Sequence, residues 1–155
     1  MDRKRVSAGA SLVVALVLAT VGCSSGPTAT ATPAATAVAV TLQEWAVGTI
    51  PQTARAGTVN FSVTNTGPAD THEFVVIKTD LSLIALPTDA DGAVDEAGGG
   101  MTVVDEIEDI AVGSTETLSV PMTAGAYVLI CNIFDETENE AHYQEGMRTS
   151  FTVTP

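Results

Sequence analysis

The 155-residue chain has only two histidines and two cysteines, and 5% of its residues are aromatic. So few aromatic side chains leave most of any core to Val, Ile and Leu. Cations are scarcer still. Beyond residue 22 there are three, Arg55, Lys78 and Arg148, against 18 acids, a formal balance of −15. That balance excludes nucleic acid as a partner, keeps an exported domain soluble, and matches a cationic protein surface. Convincing helical periodicity and internal repeats are both missing past the first 22 residues, which argues against a helical bundle or a solenoid.

The N-terminus has a different character. Residues 1–5, MDRKR, are basic, and Val6 to Val21 is apolar apart from Ser and Thr. Residues 1–22 therefore read as an export signal, too short and wrongly flanked for a comfortable membrane span. Ala19-Thr20-Val21-Gly22-Cys23-Ser24-Ser25 resembles the bacterial lipobox, with Thr20 where Leu is usual. That likeness implies a lipid on Cys23, an anchor in the membrane and an envelope location on the outer side of the cytoplasmic membrane. Cleavage nearby, leaving a soluble secreted protein, is the alternative. The tract from 24 to 37, SSGPTATATPAATA, lacks large apolar side chains and reads as an extended linker; its 14 residues reach at most about 45 Å.

The domain is expected to occupy residues 38–155. VAVTL (38–42), GTVNFSVTNTG (57–67), EFVVIK (73–78), TETLSV (115–120), AYVLIC (126–131) and RTSFTVT (148–154) read as strands, and MTVVDEI (101–107) as a strand or a strand entering a turn. EFVVIK and AYVLIC are the densest apolar runs and the expected central strands. Residues 81–100 read as a long loop with room for a short helix. Seven or eight short strands predict an antiparallel Greek-key β-sandwich. The acids of 103–110 fit a solvated edge, and Trp45 fits a core position or a lid at one end.

The chemistry concentrates in CNIFDETENEAHYQEGM, residues 131–147. Cys131, His142 and Met147 make a soft, mixed donor set that suits copper better than calcium or magnesium. Zinc also takes Cys and His, but a thioether serves it poorly. With Cys23 lipidated, Cys131 has no disulfide partner, and a lone thiol in an oxidising compartment points to a task. The other histidine, His72, opens one strand while Cys131 closes another, so both can reach one pole of a sandwich.

Thr71-His72-Glu73-Phe74, Tyr127 to Asn132 and His142-Tyr143-Gln144-Glu145-Gly146-Met147 resemble the ligand segments of the cupredoxins, blue-copper proteins of the plastocyanin and azurin kind. The likeness runs from about residue 38 to the C-terminus. It implies one copper ion held by His72, Cys131, His142 and axial Met147, and a one-electron carrier serving a redox protein partner. Two features depart from the family. Ten residues separate Cys131 from His142, where a few are usual, so FDETENEA (134–141) reads as an insertion that leaves the rigidity of the ligand loop open. Glu73 stands where an Asn commonly tethers the ligand loops. Asp135, Glu136, Glu138 and Glu140 are expected to tune the copper potential or dock the partner. A copper carrier that hands the ion on, and a copper-free structural sandwich, are the other readings. A copper oxidase is excluded by counting, since no histidine remains for a second centre.

Overall fold

The computed structural model describes residues 34–155; the export signal, Cys23 and nearly all of the linker lie outside the described residues. Two sheets pack face to face. One holds four strands in the order β2 (Ala46–Ile50), β1 (Thr36–Gln43), β4 (Gly57–Asn65), β7 (Thr115–Met122). The other holds five, in the order β3 (Thr53–Arg55), β11 (Arg148–Thr154), β8 (Gly125–Ile130), β5 (His72–Thr79), β6 (Met101–Ile110). A hairpin of β9 (Phe134–Asp135) and β10 (Glu140–Ala141) and a single helical turn, α1 (His142–Glu145), link β8 to β11. The expected sandwich is present. Most pairs are antiparallel, but β1–β4 and β3–β11 run parallel.

The period-two pattern of β1 and β4 places Val38, Val40, Leu42, Val59, Phe61 and Val63 between the sheets and polar neighbours outside. In contrast, β5 and β8 are buried on both faces, which is why their sequences are apolar runs. One face looks into the sandwich. The other, through Val75, Ile77, Val128 and Ile130, is covered by Leu86 and Val94 from the 81–100 segment and by Tyr143. That segment contains no helix, only a bridge between Thr88 and Val94.

The few aromatic residues are concentrated rather than spread. Phe61 lies 5.3 Å from Phe74 and 5.8 Å from Phe151, ring centre to ring centre, in the middle of the core. Tilted pairs of this kind add about 0.5–1.5 kcal/mol each beyond the area they bury. Strands β2 and β3 were not expected from the sequence. β2 carries Ile50 outward, 78% exposed, and a glycine at its centre, which blurs the alternation; Pro51 then follows.

Candidate metal centre

Strand register brings the donors together. β5 and β8 run antiparallel with Val75 opposite Ile130, so the start of β5, at His72, meets the residue that follows β8, Cys131. β11 pairs with β8 with Arg148 opposite Ile130, which sets Met147 opposite Cys131; the Cys131 amide donates to the Met147 carbonyl at 3.0 Å. His142 heads α1, and its carbonyl accepts from the Met147 amide, also at 3.0 Å. Three sequence-distant segments thus meet at one end of the sandwich.

The three strong donors face one another. His72 Nδ1 lies 3.3 Å from His142 Nδ1 and 3.8 Å from Cys131 Sγ, and His142 Nδ1 lies 3.3 Å from the same sulfur. Bonds of about 2.0 Å to nitrogen and 2.3 Å to sulfur, arranged in a trigonal plane, separate donors by roughly 3.5 Å. The observed spacings fit an ion at the centre. His72, Cys131 and Met147 are 0% exposed and His142 2%, with Cys131 and Met147 in one buried cluster. Trp45, half-buried, presents its ring edge-on to His142 at 5.0 Å, so it lids this end. Gly146, with φ of 128°, packs against the Trp45 carbonyl, where a Cβ would come within 3.0 Å.

Electrostatics keep the imidazoles neutral. Burial lowers the pKa of both; the field of His142 adds to this for His72, while Asp70 and Asp135 pull His142 back upward. Neutral imidazoles are the form that binds metals. Burial pushes the Cys131 thiol up to about 11, opposed by backbone amides that include Glu73's, whose N–H donates to Sγ at 3.3 Å. A cation that takes the thiolate supplies the charge compensation the apolar pocket withholds.

The insertion is ordered as a hairpin. Ala141 pairs with Phe134 and Glu140 with Asp135, and the His142 amide continues the ladder to the Ile133 carbonyl at 2.9 Å. Asp135 closes its turn by accepting from the amides of Thr137 and Glu138 at 2.6 and 3.1 Å, which holds its carboxyl below the usual carboxylate range. Glu136 and Glu138 point into solvent, Asp135 and Glu140 are half-buried, and burial together with Glu138 raises the Glu140 carboxyl. The 81–100 segment clamps the ligand loop from outside. Tyr143 Oη accepts from the Leu86 amide at 3.2 Å and donates to the Leu83 carbonyl at 2.9 Å. Asn132 accepts from the Val94 amide and donates to its carbonyl.

Glu73 does not tether the loops with its side chain; its backbone N–H reaches the sulfur instead. Asn65, wholly buried, ties the turn leading into His72 to the end of β6: it donates to the carbonyls of Asp70 and Ile110 and accepts from the Gly67 amide. The Glu73 carboxyl gathers with Glu96 and Glu106 within 4.8 Å, beside β6. A second residue not singled out in the sequence is Glu44. Its Oε1 accepts from the amides of Ala69 and Asp70 at 3.0 and 2.7 Å and lies 3.8 Å from His72 Nε2. Glu44 carries no sequence signal, because a Glu beside a turn reads as solvated charge.

No family model and no curated protein sequence matches the chain. Solved structures do. An auracyanin from the photosynthetic bacterium Roseiflexus castenholzii shares 21% identity at a TM-score of 0.53, over 81% of this chain and all of that one. Auracyanin A, a "blue" copper protein of Chloroflexus aurantiacus, gives 14% and 0.53 over 78% of this chain and all of that one. Rusticyanin of Thiobacillus ferrooxidans gives 16% and 0.53 over 77% of each. The architecture is therefore the cupredoxin fold.

Proposed function

We propose that the chain is a type 1 copper protein and that its task is to carry single electrons. His72, Cys131 and His142 would hold the ion, and Met147, buried beside Cys131, would be its fourth and weakest donor. The observation that carries this reading is the meeting of three buried soft donors, 3.3–3.8 Å apart, at one pole of a cupredoxin fold. Copper bound there supplies reversible one-electron chemistry. The chain's residues do the rest. Neutral imidazoles and a desolvated sulfur favour a compact, low-charge site, and the apolar wall of Phe74, Ile110 and Leu129 belongs to the rigid core beside it. The Glu73 amide draws charge from the sulfur, and Trp45 keeps water from His142. A site held from three strands and a clamped hairpin keeps its donors in place through a change of oxidation state, which lowers the reorganisation cost of each transfer.

Both histidines are committed to this one centre, so we assign no catalytic reaction to the chain. The partner is a redox protein with a basic docking surface, met through the acids of the 134–141 hairpin, with an on-rate that falls as salt rises. Export by residues 1–22 and lipidation of Cys23 place the protein at the outer face of the cytoplasmic membrane. A copper carrier needs a slack ligand loop, and the paired hairpin supports the electron carrier instead. Voltammetry distinguishes them: an electron carrier gives a reversible couple and retains copper against a mild chelator. Ready loss of copper to that chelator, with no reversible couple, overturns the assignment.

A further inference from the structure

His72 uses only one of its ring nitrogens at the metal centre. Nδ1 faces Cys131 and His142, whereas Nε2 faces the other way, is buried, and has no hydrogen-bond partner. A neutral imidazole carries one N–H, and an imidazole that gives its Nδ1 lone pair to a metal must carry it on Nε2. That N–H then points into a region from which water is excluded. The acceptor facing it is Glu44, with Oε1 at 3.8 Å and side chain 11% exposed. Glu44 is itself incomplete: Oε2 is buried without a partner, and among the described residues no Lys or Arg pairs with it. Its position is fixed by the Ala69 and Asp70 amides, which belong to the turn leading into His72. The donor is buried and unpartnered, and the carboxylate facing it keeps one buried oxygen, Oε2, without a partner. Oε1, already taken by the two amides, lies 3.8 Å from Nε2, beyond hydrogen-bond distance, so closing the pair needs a small shift of the carboxylate or the ring.

We infer that Glu44 is the positioning residue of His72: its carboxylate takes the Nε2–H of the imidazole, fixing the tautomer that leaves Nδ1 free for copper and increasing the ligand's basicity. This rests on the copper reading above. A carboxylate behind a ligand histidine stabilises the more highly charged ion, so Glu44 favours Cu(II) over Cu(I) and holds the reduction potential down. The turn from Gln43 to Ala46 is thereby part of the redox centre, although it contributes no ligand.

The experiment compares the full chain with Glu44→Gln and Glu44→Ala, using competition titrations for Cu(II) and Cu(I) and ¹⁵N NMR of the metal-free histidines. We expect Glu44→Gln to bind Cu(II) about tenfold more weakly, with a smaller change for Cu(I) and hence a higher potential. The metal-free wild type should show His72 as the Nε2–H tautomer with a strongly deshielded proton, and that deshielding should disappear in both variants. Equal losses for Cu(II) and Cu(I), or an unchanged His72 proton in a folded variant, overturn the role. Should the wild type give no Cys131-dependent copper spectrum, the copper reading fails by itself, and the NMR result still decides whether Glu44 holds His72.

Discussion

Glu73 shows how one position serves two purposes through two different groups. Its amide supports the Cys131 sulfur, while its carboxyl is pushed up to about 7 by burial first and then by the fields of Glu96, Glu106, Glu108 and Asp109. In the unfolded chain the same carboxyl has its ordinary value of 4.5. Between those values the folded protein keeps a proton that the unfolded chain releases. The contribution to stability is therefore fully present below about pH 4.5 and is lost as pH rises through about 7. Glu73→Gln, which stays neutral, should flatten that decline. Denaturation midpoints of the metal-free protein at about pH 5 and pH 8 check it, and an equal decline in wild type and variant contradicts it. That His72, Cys131 and His142 would meet was legible in the sequence because such residues are scarce: two histidines and one cysteine beyond the N-terminal tract leave little choice. Glu44 and the Glu73 cluster were not. Their roles come from backbone amides 25 or more residues away and from a neighbouring strand, which no local pattern encodes.

At the scale of elements, the ligand loop is held by segments remote from it in sequence. Tyr143 bridges the helical turn to Leu83 and Leu86, and the residue is 2% exposed. Tyr143→Phe keeps the ring but strands the buried Leu86 amide, so it should cost about 1–3 kcal/mol in urea denaturation. A loss under about 0.5 kcal/mol would contradict the clamp. The strands with clean alternation or dense apolar runs were readable, since period two is fixed by the pleat. Strands β2 and β3 were hidden by an outward Ile50 and by brevity. The order in the insertion was hidden as well, because a run of acids gives no sign that Asp135 will close a turn and pair its strand with Glu140.

At the scale of the whole molecule, charge and fold act together. The acids Asp135, Glu136, Glu138 and Glu140 sit on the hairpin that leads to His142, and in the proposed copper site their summed field would favour the more positive Cu(II) state. Replacing all four by neutral amides should raise the reduction potential and weaken the salt dependence of partner association. An unchanged or lower potential in voltammetry contradicts that. The sandwich itself followed from short strands and absent helical period, whereas its two parallel pairings required the register. The central claim is that Cys131, held between two neutral imidazoles, binds copper as a thiolate. Its most direct test is the visible absorption and EPR spectrum of the chain with Cu(II), beside Cys131→Ser. The account predicts an intense blue thiolate-to-copper band with narrow hyperfine splitting, lost in the variant. An ordinary weak Cu(II) spectrum, or one indifferent to Cys131, contradicts it.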